Sequence, residues 1–484
     1  MTTSSLRVPH VAVDHHGTML ADVEDLQLDP GISTTIVGES GSGKSILAHA
    51  LMGTLPRSLT VSGSLFLDGK PFDLASREPR HLWAKRLALL PQEPMLALDP
   101  TMRIINQVAE GARGFRTSPT TALGQARRAL DGLGLTDAAR SYPHTLSGGM
   151  AQRVAFAAAS IGGADVLIVD EPTKGLDAAA VDHLGDLLEA HLARGGMLLA
   201  ITHDLRFARR LGGQVLVMKD ATVVEQGPVE QVLSAASHAY TQQLVAAEPS
   251  RWRYPWQGSG PHALGQELVR ADALSKAYGS NRLFEDLSVH VGQGDRIALT
   301  GPSGAGKTTL GNVLIGLASA DTGQIEWSAE ARGTGRQKLY QDPALAFPRR
   351  VPLRLAMHDV CRRHSIDLGR LDDLLEQVGL QAGLLDRLAS QVSGGELQRL
   401  AIVRAMLVEP ALILADEATS RLDLISQERT IDCLMRGIDH TGAALLLITH
   451  DTDLAAAIAR ETIDLAGGGS PAREPAPASA MAAR

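Results

Sequence analysis

The chain has 484 residues, a formal net charge of −8, 44% apolar and 3% aromatic residues, and two cysteines. That length exceeds one ordinary core and implies two or three domains. The acidic balance argues against a protein whose main partner is nucleic acid, and two isolated thiols, Cys361 and Cys433, support neither a disulfide framework nor a metal cluster.

Taken in chain order, the first residues, "MTTSSLRVPHVAVDHHG", lack the apolar core of a signal peptide, and no run approaches the ~18 apolar residues that span a bilayer. The expectation is a cytoplasmic chain that reaches any membrane by docking onto other subunits. The adjacent His15 and His16 have no evident companions for a metal site. Next, the short apolar run "STTIVG" ends in "GESGSGKS", Gly38 to Ser45. The pattern G-x-x-x-x-G-K-[ST] bends the backbone so that its N–H groups face a polyphosphate, and the helix that follows adds its positive end. "LSGGMAQR" then places Ser147, Gly148 and Gly149 at a helix start, a second anion-binding geometry with serine as cap. "DVLIVDE" and "MLLAITHD" read as strands buried on both faces that deliver Asp170, Glu171 and His203 at their carboxyl ends.

The same order returns. "RIALTG" precedes "GPSGAGKT", Gly301 to Thr308; "VSGGELQR" carries Ser393, Gly394 and Gly395; "ALILADE" and "ALLLITHD" deliver Asp416, Glu417 and His450. Ser147 to Glu171 and Ser393 to Glu417 both span 24 residues. The chain is a duplication, divided as residues 1–247, a Pro/Gly/Ser-rich linker 248–265, residues 266–466 and a disordered tail 467–484. The linker's "RWRYPW" is read as rings packed on a domain surface, with nucleic acid or a membrane interface as the alternative.

In each half the chemistry is that of a nucleoside triphosphatase. Lys44 and Lys307 would reach the β and γ phosphates. Ser45 and Thr308 would ligate Mg²⁺, and Asp170 and Asp416 would hold the ion through its water shell. Glu171 and Glu417 are placed to polarise an attacking water, with His203 and His450 beside the γ-phosphate.

These motifs, in this order and over nearly all of both halves, resemble the nucleotide-binding domain of ATP-binding cassette (ABC) proteins. The resemblance implies an α/β fold of two tandem P-loop NTPase domains, each with a mainly parallel sheet and a helical subdomain. It also implies that each ATP lies between the P-loop of one domain and the signature serine of the other. One composite site would then use Gly38, Ser40, Gly41, Gly43, Lys44, Ser45, Gln92, Asp170, Glu171 and His203 with Ser393, Gly394 and Gly395. The other would use Gly301, Ser303, Gly304, Gly306, Lys307, Thr308, Gln341, Asp416, Glu417 and His450 with Ser147, Gly148 and Gly149. Gln92 and Gln341, in "LLPQEP" and "KLYQDP", resemble Q-loop glutamines that sense Mg²⁺ and the membrane subunit together. Asp177 and Asp423 match the loop that communicates across the dimer.

Two departures stand out. Tyr278, 23 residues before Gly301, fits the adenine-stacking aromatic, whereas the same count before Gly38 reaches His15. The second signature carries Glu396 where glutamine is common, adding negative charge near the phosphates.

Within the family, "QEPMLALDPTMRIINQV" and "SHAYTQQLVAAEP" resemble the ATPases of peptide and nickel importers. That implies two transmembrane permeases and, through them, an extracytoplasmic binding protein. The second half lacks a counterpart to "HAYTQQL", which suggests two different permeases. Sugar-type importers, exporters and soluble tandem ABC proteins of the ribosome are the alternatives; the last usually carry a long charged linker, unlike the short one here.

Overall fold

The computed structural model describes residues 5–76, 78–113, 117–254, 266–279, 281–465 and 473–475. They divide into two units, Met1–Ala246 and Ala247–Arg484.

In the first unit five short strands run parallel, in the order Leu87–Leu90, Val166–Asp170, Met197–Ile201, Ser33–Val37 and Gln214–Lys219. Most of their residues are apolar and buried because alternate residues feed two different cores. Val166 and Ile168 pack with Leu47 and Leu51, while Leu167 and Val169 pack with Phe156, Leu184 and Leu188. The sheet continues through Thr222–Pro228, Thr18–Leu28, Leu6–His15, Thr60–Leu67 and Lys70–Asp73, ten strands in all. Apart from the single parallel contact between Thr222 and Asp22, these strands pair antiparallel. Here burial alternates, as at Leu6 and Val8 and again at Val11 and Val13, because only one face is covered.

The second unit repeats the parallel order with Arg336–Leu339, Leu412–Asp416, Ala444–Ile448, Arg296–Thr300 and Glu461–Asp464. Its antiparallel strands, Asn281–Gly292, Glu267–Tyr278 and Thr322–Trp327, form a separate sheet. Alternate residues again divide between two cores, Leu412 and Leu414 on one side, Ile413 and Ala415 on the other.

Each unit also has a helical layer built on four-residue spacing. Ile104, Val108 and Ala112 face Ala122, Ala126 and Leu130 in the first, and Leu353, Met357 and Cys361 face Leu371 and Leu375 in the second. The two cysteines are unpaired, Cys361 within that helical core and Cys433 half-buried, and burial pushes both thiols up.

The start of the segment read as a linker belongs to the second unit. Trp252 is 5% exposed, inside a core with Ile402, Leu434 and Leu454. Tyr254 meets it edge-on at 6.2 Å and donates its hydroxyl to Asp432 Oδ1 at 2.6 Å. The buried Arg296 then pairs with Asp439 at 2.5 Å. Residues 255–265 lie outside the described residues, as do 466–472 and 476–484 of the tail. In between, Arg473–Pro475 pairs antiparallel with Glu461–Asp464, so three residues of the tail expected to lack structure form an edge strand. Truncating Trp252 to alanine should cost the second unit about 3–5 kcal/mol, read as lost amide-exchange protection in strands Leu412–Asp416 and Ala444–Ile448.

Candidate functional site

All five parallel strands of a unit end on one edge, and the chemistry collects there. Gly38 and Gly43 bound the first phosphate-type loop with φ of 151° and 97°. A Cβ at Gly38 would meet the Met218 carbonyl oxygen at 2.1 Å, and one at Gly43 the Leu20 oxygen at 2.2 Å, so only glycine closes this turn. Ser40 and Gly41 form its bend, and helix Lys44–Leu51 follows without a side-chain cap. The Lys44 ammonium donates to the carbonyls of Gly38 (2.8 Å) and Glu39 (2.6 Å). Ser45 Oγ donates to Asp170 Oδ1 at 3.0 Å, tying the loop helix to the end of strand Val166–Asp170. The second half repeats the lysine and hydroxyl hydrogen bonds. Gly301 and Gly306 have φ of 132° and 95°, with Ser303 and Gly304 between them. Lys307 donates to Gly301 and Pro302 carbonyls at 2.8 and 2.9 Å, and Thr308 to Asp416 Oδ1 at 2.9 Å.

The glutamate after each aspartate has left-handed backbone, φ 45° at Glu171 and 49° at Glu417. Non-glycine residues reach that region at a cost, here offset by ladder bonds from their N–H groups to Ile201 and Ile448. Both carboxylates meet a histidine at 2.6 Å: Glu171 Oε2 accepts from His203 Nδ1, and Glu417 Oε1 faces His450 Nε2. Burial pushes Glu171 up, but His203 outweighs it and the net displacement is downward; His203, depressed by burial, is carried up by Glu171. Both shifts favour the charged form of the pair, imidazolium against carboxylate. Glu417 is likewise held low against its burial by His450. Asp170 moves up, because burial and the neighbouring Glu171 outweigh the Ser45 hydrogen bond.

Ser147 and Ser393 cap helices Gly148–Ser160 and Gly394–Met406, accepting from Met150 and Glu396 N–H, with Gly149 and Gly395 in the first turn. Asp177 and Asp423 cap the helices that begin at Ala178 and Leu424. His15 and Tyr278 occupy matching places, each the last residue of its strand before a tight turn, paired with Thr18 and Asn281. Tyr278 is 59% exposed, with the Lys276 ammonium 5.4 Å from its ring centroid. His15 lies beside the His16 ring at 4.4 Å, and no cluster of three or more metal-ligating groups occurs among the described residues.

A family profile described as "ABC transporter" matches residues 22–174 and 284–420, so both loops, both strand-end carboxylates and both capped serines fall within or beside its two copies. The chain belongs to the ABC transporter ATP-binding family. As such it is an ATPase. It is 32% identical to the peptidoglycan transport ATP-binding protein YejF of Agrobacterium fabrum, over 96% of this chain and 91% of that one. It is 31% identical to the glutathione import ATP-binding protein GsiA of Salmonella typhi, over 91% and 81%. Among solved structures, the archaeal ribosome recycling factor aABCE1, crystallised with stalk protein aP1, superposes with a TM-score of 0.66 at 20% identity over 94% of this chain and 87% of that one; that likeness is one of fold.

Within this ABC framework the halves differ in polar detail. Gln341 Nε2 donates to Glu417 Oε2 at 2.8 Å, while among the described residues Gln92 makes no hydrogen bond to Glu171. Glu396 holds its own signature serine, accepting from Ser393 Oγ at 2.6 Å and from its N–H at 3.2 Å, so the charge noted in the sequence is tied into a capping box. Sequence reasoning missed Tyr240. Its hydroxyl, on the helix Ala239–Ala246 of the "HAYTQQL" segment, accepts from the Glu39 N–H at 2.9 Å. Glu225 anchors the start of that segment, accepting from Ser237 N and Oγ and from His238 N; these bonds and Thr241 bring it to about 2 despite burial. In the second loop the matching residue is Pro302, which has no N–H to offer.

Because His203 is raised above its ordinary value and Glu171 lowered, the stability of the pair is fully present between about pH 4.5 and about pH 6.5; it is lost as pH rises through the elevated histidine value and as pH falls through the depressed glutamate value. NMR titration should place His203 above 6.5, and Glu171→Gln should bring it down; an unmoved titration would show that Glu171 does not set that charge.

Proposed function

We propose that this chain is the ATP-hydrolysing subunit of an importer of the peptide/nickel class, powering two different permease subunits from the cytoplasmic face of the membrane. An extracytoplasmic binding protein would feed those permeases, and the substrate is a peptide, nickel or a metal chelate. The observation that carries the reading is a pair of leucines. Leu96, 80% exposed, and Leu345, 63% exposed, each stand four residues after Gln92 and Gln341, on the short helical turns Pro94–Ala97 and Pro343–Ala346. Large exposed apolar side chains repeated in register on two matching turns suit a protein partner. No helix among the described residues is long and apolar enough to cross a membrane, so a membrane step needs other subunits. Relatives named for glutathione import and peptidoglycan transport support the cargo class.

In this reading each ATP is bound by the P-loop of one half and the signature serine of the other. Mg²⁺ suits Ser45 with Asp170, and Thr308 with Asp416, since each pair offers hard oxygen donors beside a phosphate loop. Gln92 and Gln341 would complete the sets. The ion, when bound, neutralises charge on the phosphate oxygens. Glu171 and Glu417 orient a water against the γ-phosphate and take its proton, while His203 and His450 hold those carboxylates and pair with the transferred charge. Adenine stacks on Tyr278 in the second half; in the first, stacking is weaker, displaced or made by the His15 imidazole. Closure on ATP and reopening after hydrolysis would be passed to the permeases through the segments around Leu96 and Leu345.

The direct test is capture from detergent-solubilised cells with the Glu171→Gln, Glu417→Gln chain and ATP. Two multi-span proteins should come down; ribosomal components in their place would refute the importer. Leu96→Asp with Leu345→Asp should weaken that capture about tenfold or more while ATP binding persists. Either glutamine substitution alone should lower turnover, and a harmless Glu417→Gln would remove the second site from the mechanism.

A further inference from the structure

The strand beside each strand-end aspartate differs by one charge. In the second half Lys338 lies on strand Arg336–Leu339, opposite Leu414 and so two residues before Asp416 in the ladder. Its ammonium is 2.8 Å from Asp416 Oδ2 and donates to Asn312 Oδ1 at 2.9 Å, with the Tyr340 ring centroid 5.4 Å away. The lysine side chain is 9% exposed and that of Asp416 12%. Both carboxylate oxygens are thus engaged, Oδ1 by the Thr308 hydroxyl and Oδ2 by the ammonium. The first half holds the same backbone position with Leu89, opposite Ile168 and two residues before Asp170. There Asp170 Oδ1 accepts from Ser45, and the place of Asn312 is taken by His49, whose ring is bonded to Thr54. The two loops are therefore alike in backbone and unlike in the charge that a metal ion would meet.

We propose that Lys338 is a positioning residue that competes with Mg²⁺ for Asp416 and makes the second P-loop less dependent on the ion than the first when it binds ATP. The inference rests on the ATP and Mg²⁺ reading given under Proposed function. An ammonium buried beside a carboxylate supplies, as a fixed part of the fold, some of the positive charge that Mg²⁺ otherwise brings. With Lys338 in place the second loop starts nearer to electrical balance, so adding the ion gains less. With leucine at that position Asp170 has, among the described residues, the Ser45 hydroxyl and the longer-range charges of Lys44 and His49 but no ammonium on its second oxygen, and a divalent cation is drawn to it more strongly. The lysine acts through Asp416, without contact to the reacting atoms, and its effect is therefore read in binding and not only in turnover. Asn312 and Tyr340 hold the ammonium in place, the amide oxygen through one hydrogen bond at 2.9 Å and the ring from 5.4 Å.

The test uses the full chain and mant-ATP fluorescence, with the Kd measured in excess EDTA and again in Mg²⁺. In a Lys44→Ala background the signal reports the second P-loop, and in a Lys307→Ala background the first. The gain in affinity on adding Mg²⁺ should be smaller at the second loop. Lys338→Leu, and independently Lys338→Met, which keeps the stem and removes the charge, should enlarge the gain about tenfold, the scale of one charge-assisted hydrogen bond. Conversely, Leu89→Lys in the Lys307→Ala background should shrink the gain at the first loop without touching the second half. If mant-ATP binds and the gain is the same with and without the lysine, Lys338 has no part in metal use and the inference is overturned. Failure of the unsubstituted chain to bind mant-ATP in either condition would instead overturn the ATP reading itself, and the inference with it.

Discussion

The arrangement of the site depends on the in-register parallel pairing of five short strands. Asp170 stands opposite Ile201, and Ile36 opposite the same residue from the other side, so the loop after Val37, the carboxylates after Val169 and the histidine after Thr202 emerge on one edge. The hydroxyl–carboxylate bonds from Ser45 to Asp170 and from Thr308 to Asp416 close that edge. A register slip of one residue would turn Asp170 to the other face of the sheet and send Val169 and Ile168 into the wrong cores. Burial of alternate residues in two separate cores is what makes such a slip costly, and it holds the polar edge in place.

A buried polar edge must also manage its charges. Each glutamate meets a histidine at 2.6 Å that holds its carboxyl low, and each aspartate accepts a hydroxyl from the loop helix. Beyond these shared contacts the halves part. Asp170 is pushed toward its neutral form by burial and by Glu171, whereas Asp416 has Lys338 at 2.8 Å. Glu171 faces His203 through Nδ1, and Glu417 faces both His450 Nε2 and Gln341. Duplication has preserved the backbone and allowed the polar neighbours to diverge, because neighbours are single side chains on an already formed sheet.

The same logic applies to the segment after the first sheet. Glu225 gathers the N–H groups that start helix Ala239–Ala246, and Tyr240 reaches the second residue of the P-loop. In the second half the chain beyond Asp464 offers instead the edge strand Arg473–Pro475, and Pro302 removes the donor that Tyr240 uses in the first. The first loop is thus tied to its own C-terminal segment by a bond that the second loop has no N–H to make.

Much was decided by the sequence alone. Glycines at fixed spacing before Lys-Ser and Lys-Thr read as a phosphate loop, continuous apolar runs of four to six residues ending in acidic or polar residues fit doubly covered strands, and repetition in order identifies the duplication. These are local or periodic signals, carried by neighbouring residues. The antiparallel strands before each loop were not read from the sequence, since their one-sided alternation is broken by bulges, as between Val13 and Asp14. Trp252 looked like part of a linker because its local composition is that of a turn; its burial comes from a core drawn from distant segments between Leu339 and Ile458. Lys338 and Tyr240 carry no local signal of their partners, which lie 78 and 201 positions away at Asp416 and Glu39. Which side chain meets which carboxylate is set by strand order in the sheet, and strand order exists only once the chain has folded.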